Sequence, residues 1–483
     1  MKVLCRNAAL AFFALLAGLQ LVLPRSHMAS QPQREWRFVE SRGSALGDAP
    51  READAVYTPD PAHLWNRLHR HFHTRRASDG QAFGGDGLDP LLWYETRHLL
   101  DGPSHAEAVA LLDEFLAARA ERLITDPLKR ATLQRDLWAV FDWLSARGDN
   151  YFAQRRQLQV RLGSIIHRLA LTAEQIKALP DNYARAVAER AFPPAYQTEN
   201  PEAAFLPADI FQPEGPWVCL GNGQGPLLAR THTEAFNGRS AFLVFMRLPG
   251  GRRETVEYLA RLKDFPQPLI PNTEGSSVLG PVRFNPELPQ FPVGTQLALI
   301  RQQILIDDEG RLVPSRLTES VQIRVYREIS GVADPYVINA ARAARHTQAT
   351  HKFVLSRSGL FAGVTGGLRP VSPEEKEFAV FMARGIDWFE QLTQEGGPER
   401  VREDVLGSCI VCHAAPGVHS MLSYTRGRFS TQGLQPPDIV PADPTGEASN
   451  TTLWKADQFN WGLLQGIWAQ PEPRALHAKR ASR

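Results

Sequence analysis

The chain has 483 residues, of which 43% are hydrophobic and 22% are charged, and its formal net charge at pH 7 is +2. This composition excludes a disordered or fibrous chain, and a net charge so close to zero argues against a dedicated nucleic-acid binder. The length predicts two or three domains.

The first 29 residues have the pattern of a secretory signal peptide. Lys2 and Arg6 form a basic start, and an apolar run from Ala8 to Leu23 follows. Removal of residues 1–29 leaves 51 basic residues against 52 acidic ones, a net charge of −1. The pattern predicts a periplasmic or secreted bacterial protein with no stable membrane span beyond this segment. The alternative is that the segment is retained as an N-terminal membrane anchor.

The remaining chain is predicted to be α+β and mainly helical. Apolar residues recur at helical spacing in 129–146 and 152–171, whereas Val321, Ile323 and Val325 alternate with polar residues as in a half-buried strand. These patterns predict four segments: an irregular N-terminal segment (30–87), a helical bundle (88–199), a β-rich middle domain (200–332) and a C-terminal helical region (333–483).

The irregular segment contains His69, His71 and His73 at alternating positions. In a strand the three rings would share one face and could bind a metal. The neighbouring arginine charges would oppose a bound cation. The sequence therefore favours a solvated arm over a metal site.

Further elements are predicted from capping signals and short apolar runs. Thr172 to Gln175 forms a capping box, and Ser104 to Glu107 suggests another. Cys219 lies in a short apolar run, which predicts a buried thiol in a strand. The predicted strands are 240–248, 294–306 and 320–329, and the predicted helices include 253–263, the stretch after Pro373, and 450–468.

One short motif contains side chains that can bind a cofactor. Cys409 and Cys412 are followed directly by His413, in a C-x-x-C-H arrangement, and on one helical turn these three side chains fall on the same side. The chain here resembles the c-type cytochromes, a resemblance that covers about residues 407–424 and no full-length family. It implies one covalent haem c with its iron and a cytochrome c-like character for the C-terminal region. Cys409 and Cys412 would bond the porphyrin, and His413 would be the proximal iron ligand.

The second iron ligand is left open by the sequence. The small cytochrome c fold places a methionine well downstream of the motif, whereas the last methionine of this chain is Met421. Met421 or His419 could return over the haem edge. A distant histidine (His346, His351 or His477) could approach from a packed element, or the position could be open to a small molecule.

Three functions follow from these alternatives. The favoured one is single-electron transfer to or from a redox partner protein or a small-molecule donor or acceptor. The second is a haem-dependent, peroxidase-like oxidoreductase with an open iron site, whose substrate the β-rich middle would hold. The third is a scaffold without haem, in which Cys409 and Cys412 form a disulfide or bind zinc together with His413 or His419.

Overall fold

The structure is a computed structural model, and the residues it describes all belong to one compact unit, Glu52–Arg483. The described residues are 55–76, 82–87, 98–145, 150–223, 225, 227–267, 269–271, 282–329, 347–378, 402–404, 406, 413, 416–421, 429–430, 433–434 and 438–469.

The main β-structure is a seven-stranded antiparallel sheet. Its strands are β3 (Val218–Asn222), β4 (Ser240–Arg247), β7 (Gln296–Ile306), β8 (Leu312–Tyr326), β9 (Gln348–Leu355), β10 (Leu368–Pro370) and β15 (Ile439–Pro441). The spatial order is β10-β9-β8-β7-β4-β3-β15. The other strands form two-stranded pairs: β1 (Thr74–Arg76) with β2 (Ala82–Gly84), β5 (Leu269–Pro271) with β6 (Val282–Phe284), β11 (Lys376–Phe378) with β12 (Arg402–Asp404), and β13 (Phe429–Ser430) with β14 (Gly433–Leu434).

Helices precede, interrupt and follow the strands of the sheet. They are α1 (Leu64–His73), α2 (Gly102–Ala117), α3 (Pro127–Leu144), α4 (Phe152–Leu169), α5 (Ala173–Lys177), α6 (Asn182–Ala188), α7 (Arg230–Ala235), α8 (Arg252–Lys263), α9 (Arg357–Ala362), α10 (Pro444–Ala456) and α11 (Phe459–Trp468). Together with the sheet they confirm the α+β class.

The sheet has two faces with different cover. Strands β4, β7, β8 and β9 are paired side by side, so residues directly opposite one another form rows across the sheet. One row consists of Val244, Leu299, Gln322 and Lys352. The adjacent row points to the opposite face and consists of Phe245, Ala298, Ile323 and His351. We call the face of the first row the motif face, because the residues that follow the C-x-x-C-H motif pack on it. The face of the second row is the helix-covered face.

The helix-covered face supports the larger apolar core. Phe245, Ile300 and Ile323 of the sheet belong to one buried cluster with side chains of α3, α4 and α11. Buried ion pairs tie α3 to the sheet region: Glu319 pairs with Arg135 (3.4 Å) and Arg301 (2.6 Å), and Asp142 pairs with Arg239 (2.9 Å). The charges are buried together, so loss of Glu319 would leave two buried guanidinium groups without this carboxylate.

The motif face has a smaller core of its own. Met246, Leu297 and Tyr326 form a buried cluster with residues of α8 and with Val418 and Met421. Helix α8 contributes because its buried positions, Thr255, Tyr258, Leu259 and Leu262, recur at helical spacing and give it one apolar side.

Several local predictions are confirmed, since α3, α4, α8, β4 and β7 lie within a few residues of their predicted bounds. The Thr172–Gln175 capping box is present. Cys219 is a buried free thiol on β3, and burial raises its pKa, which keeps the thiol protonated.

Other local predictions are wrong. The N-cap of α2 is Asp101, not Ser104, and β8 begins at Leu312. The final helix is two helices that meet near Asp457. The sheet also extends beyond 200–332, because β9, β10 and β15 come from the segment predicted to be helical.

The histidine-rich stretch is neither a strand nor a solvated arm. It forms α1, where His69 and His73 lie four residues apart on one buried side. The predicted helix after Pro373 is represented only by its first residues, which form a turn and β11, and its remainder lies outside the described residues.

Candidate functional site

A short 3₁₀ turn, Gly417–Ser420, holds the residues after the motif on the motif face. The backbone N–H of Val418 donates to Gln290 Oε1 at 2.9 Å, and the Val418 side chain is buried in the apolar cluster. Gly417 has φ +53°, and a Cβ at this position would clash with Gln290 Oε1. The turn therefore requires glycine at its first position.

Ser420 attaches this turn to the sheet through side-chain hydrogen bonds. Its Oγ accepts hydrogen bonds from Arg324 Nη1 at 3.2 Å and from the Tyr326 hydroxyl, and donates to the carbonyl of Gly417 at 2.8 Å. Burial raises the pKa of Tyr326, so this phenol stays protonated and acts as the donor. These bonds fix the backbone of Ser420.

The fixed Ser420 carbonyl in turn orients the histidine of the motif. His413 Nδ1 lies 2.8 Å from Ser420 O, and because a carbonyl only accepts, Nδ1 carries the proton. In the neutral tautomer that carries its proton on Nδ1, the lone pair is on Nε2. Gln348 Nε2, on β9, donates to the His413 carbonyl at 3.0 Å. The backbone of His413 is therefore bonded to the sheet, and its ring is bonded to the turn.

A second histidine ring lies parallel to that of His413. His232, on α7, has its ring centroid 6.3 Å from the His413 centroid, with an interplanar angle of 3°. Both side chains are half-buried. In the chain, His232 comes before β4 and His413 comes after β10, so only the fold brings the two rings together.

The ring of His232 rests on an aromatic stack. It packs on Phe242 of β4 with centroids 5.5 Å apart, and Phe242 packs on Phe236 at 5.6 Å. The guanidinium of Arg301 lies 3.7 Å from the Phe236 ring centroid, and Glu319 holds this guanidinium at 2.6 Å. The position of His232 is thereby linked to the buried ion pairs of the core.

Arg324 places a buried positive charge on the same face. Its relative exposure is 8%, and its side chain contacts are Ser420, Gln348 at 3.5 Å and the Tyr326 ring at 5.7 Å. Within the described ranges no carboxylate pairs with it. A buried guanidinium without an acidic partner favours an anionic group nearby.

The motif residues are only partly described. Cys409 and Cys412 lie outside the described residues, whereas His413 is described and Ser420 links it to the turn that carries His419 and Met421. Met421 is buried in the apolar cluster of the motif face. His419 is buried in the turn, and burial lowers its pKa to about 4.

The more distant candidate ligands do not approach His413 where they are described. His351 lies on the helix-covered face, where its ring packs against Phe205 at 5.2 Å and Tyr196 at 6.2 Å. His346 and His477 lie outside the described residues. His232 was not singled out by the sequence, since no motif surrounds it and its ring meets His413 only through the fold.

Comparisons with protein-family models, with curated proteins and with solved structures gave no match. In the portion of the chain that the structure describes, no three His, Cys, Asp or Glu side chains form a group that could hold a metal ion. None of the helices described is long and apolar enough to cross a membrane. The functional argument therefore depends on the motif and on the geometry around His413.

Proposed function

We propose that this chain is an extracytoplasmic, monohaem, c-type cytochrome-like protein that transfers single electrons. Cys409 and Cys412 hold the porphyrin, and His413 is the proximal ligand of its iron. Each thiol adds across one vinyl group of the porphyrin, with the thiol proton going to the vinyl carbon, so that no atom is lost. The bound haem supplies the one-electron couple between ferric and ferrous iron.

The observation that carries the proposal is the hydrogen bond from His413 Nδ1 to the Ser420 carbonyl at 2.8 Å. Histidines that bind a metal through one ring nitrogen usually donate the other N–H to a carbonyl or carboxylate, which fixes both the tautomer and the ring orientation. In this proposal Nε2 is the nitrogen that binds the iron. It also explains why Ser420 is held by Arg324 and Tyr326.

The surroundings of His413 also suit a porphyrin. Val244 and Leu299 are half-buried neighbours across two strands of the motif face, and they offer an apolar surface between the contacts of His232 and those of Ser420. Haem carries two propionates, and Arg324 is a buried cation without a described acidic partner on this face. An imidazole of the required tautomer, an apolar surface and a buried cation together fit the group.

The roles of the other residues follow from this arrangement. Ser420 orients the imidazole, Arg324 supplies positive charge, and the apolar cluster with Met421 and Val418 excludes water from the base of the turn. The secretory pattern of residues 1–29 supports a periplasmic or secreted location, where a redox partner protein or a small-molecule donor or acceptor exchanges the electron.

The test is a pyridine haemochrome spectrum of the full chain, expressed with the haem-attachment machinery of a bacterial host. We expect a c-type α-band that remains with the protein through acid–acetone extraction. The matched control is the double variant Cys409→Ala/Cys412→Ala, which should lose all covalent haem and keep its secondary structure by circular dichroism.

The result also separates the three candidate functions. A colourless full chain would overturn the haem proposal, and zinc found by metal analysis would then support the scaffold without haem. Covalent haem that binds added cyanide or peroxide without displacing a protein ligand would favour the peroxidase-like oxidoreductase. A spectrum indifferent to both reagents supports electron transfer, because the iron is then saturated by the protein.

A further inference from the structure

We propose that the motif face carries a binding site for a small dicarboxylate. The site consists of four neighbouring side chains: Gln322 and Arg324 of β8, and Thr350 and Lys352 of β9. The ligand class follows from two positive charges, one of them buried, on the same face of adjacent strands. The site goes beyond the proposed function, because it requires neither a haem nor the cysteines that would attach one.

Strand pairing brings the four side chains into one block. Gln322 lies opposite Lys352, and Arg324 lies opposite Thr350. Residues two positions apart on a strand share a face, so all four belong to the motif face. Arg324 and Lys352 are diagonal neighbours, and such neighbours in an antiparallel pair lie about 7–8 Å apart, within reach of long side chains.

The guanidinium of Arg324 is buried, and the protein does not neutralise its charge. Only 8% of the residue is exposed, and Nη1 donates to two neutral oxygens, Ser420 Oγ at 3.2 Å and Gln348 Oε1 at 3.5 Å. Over the described ranges its Nε and Nη2 have no acceptor, yet neither nitrogen is sealed from solvent. The planar fork of a guanidinium matches a carboxylate. A carboxylate bound here would neutralise the buried charge and accept the unused N–H groups.

The other three side chains are half-buried and can complete the site. In the part of the chain that is described, the Lys352 ammonium has no carboxylate within ion-pair distance. Among the same residues, neither the Thr350 hydroxyl nor the Gln322 amide has a hydrogen-bond partner. The block therefore offers two positive charges and two neutral donors. Like charges on neighbouring strands oppose each other, so an anion that contacts both stabilises them.

The separation of the two charges favours two carboxylates over one compact anion. The Arg324 guanidinium lies 5.7 Å from the ring of Tyr326, which is the residue two positions further along β8. Lys352 lies opposite Gln322, which is two positions away in the other direction. The Arg324 side chain therefore leans away from Lys352. A ligand with carboxylates several ångströms apart can contact both cations, whereas phosphate holds its charge on one centre.

The test is isothermal titration calorimetry with succinate, inorganic phosphate and sodium chloride, in a buffer of low ionic strength without other carboxylates. The proteins are the full chain with attached haem and the variant Cys409→Ala/Cys412→Ala, which can hold no covalent haem. Arg324→Gln and Lys352→Gln are made in the haem-free protein. The matched control is Arg253→Gln, since the Arg253 side chain is 92% exposed. Circular dichroism checks that each variant is folded.

We expect succinate to bind the haem-free protein more tightly than phosphate does, with no binding heat from chloride. Arg324→Gln should weaken succinate binding about tenfold, because a buried charged hydrogen bond is lost. Lys352→Gln should weaken it about threefold, because its charge is partly solvated. Arg253→Gln should bind as its parent does. Absence of succinate binding, or an unchanged affinity in Arg324→Gln or Lys352→Gln, would overturn the site, and tighter binding of phosphate would overturn the dicarboxylate class.

The haem-loaded chain shows which carboxylates occupy the site. Succinate binding to both the haem-loaded and the haem-free protein supports a free dicarboxylate as the ligand. Binding to the haem-free protein alone supports the same carboxylate site, filled by the propionates when haem is attached. A full chain without haem would overturn the proposed function alone, because titration of the haem-free protein decides the site.

Discussion

Two pairs of histidine rings in different regions of the molecule are built in different ways. His69 and His73 lie four residues apart on α1, with ring centroids 5.3 Å apart and an interplanar angle of 21°. His232 and His413 come from distant segments and lie 6.3 Å apart at 3°. The first pair follows from helix geometry alone, and the second exists only because α7 and the residue after the motif meet on the sheet.

The surroundings of the two pairs differ more than their spacing. His69 is fully buried, and burial together with the nearby charge of Arg357 lowers its pKa well below the ordinary value. Arg357 is paired with Asp136, and its guanidinium opposes any added cation near this pair. His413 is half-buried and donates to a neutral carbonyl. The comparison teaches that two pairs of neighbouring histidine rings can have very different surroundings, because His69 is buried near a guanidinium whereas His413 is half-buried and bonded to the backbone.

The largest expected effect is loss of the haem spectrum, and it should distinguish the His232–His413 pair from the His69–His73 pair. Under the proposed function, His413→Ala removes the proximal ligand and should abolish the low-spin haem spectrum. His69→Ala should retain the spectrum per folded molecule but lower the free energy of unfolding by about 2–4 kcal/mol, because it leaves a cavity in the helical core. Absorption spectra normalised to protein and urea unfolding measure the two effects. Loss of the haem spectrum in His69→Ala would contradict the division of roles.

The second prediction concerns the turn that orients His413. Gly417→Ala should lower the free energy of unfolding by about 1–3 kcal/mol, because φ is +53° and the added Cβ meets Gln290. Gly462→Ala is the matched control, since Gly462 lies in α11 with nothing within 4 Å of a Cβ, and we expect a gain of about 0.5–1 kcal/mol. Urea unfolding measures both. Equal stability of the two variants would show that the turn does not depend on glycine.

The third prediction tests a buried neutral histidine away from the motif face. Burial lowers the pKa of His351 to about 4, from an ordinary value of 6.5. As the pH falls from 6.5 to 4, the unfolded chain binds this proton before the folded one does, so the stability falls. His351→Phe should reduce this acid-induced loss by an amount on the order of 2 kcal/mol. Urea unfolding at pH 7 and pH 4.5 measures the difference, and an unchanged pH dependence would refute it.

The smallest effect concerns the charge beside Ser420. Arg324→Gln should lower the midpoint potential by tens of millivolts, because a buried positive charge favours the ferrous state. Arg324→Lys keeps the charge and should shift the potential less, although it loses the geometry of the hydrogen bond to Ser420. A redox titration of the haem-loaded proteins provides the measurement. A larger shift in the lysine variant than in the glutamine variant would contradict the electrostatic explanation.

The local spacing of apolar residues predicted which helices and strands form better than it predicted where they end or which strands pair. Helices α3 and α4 and strands β4 and β7 follow from apolar spacing that is continuous in the chain. The stretch His69–His73 was mistaken because alternating histidines among arginines look solvated, whereas the helical period places two of the rings on the buried side. Strands β10 and β15 were missed because they have only three residues each, and such short strands gain most of their stability from a sheet that is assembled by distant residues. Strand β9 has eight residues and was missed because its whole segment was predicted to be helical.

For the candidate site, the sequence by itself determined the motif. The spacing of Cys409, Cys412 and His413 is a property of neighbouring residues, and it alone led to the haem hypothesis. The tertiary structure decided everything that depends on distant segments: the Ser420 carbonyl that fixes the His413 tautomer, the buried charge of Arg324, and the ring of His232. The physical reason is that contacts between distant segments depend on distance and direction in space, and separation along the chain carries no record of either.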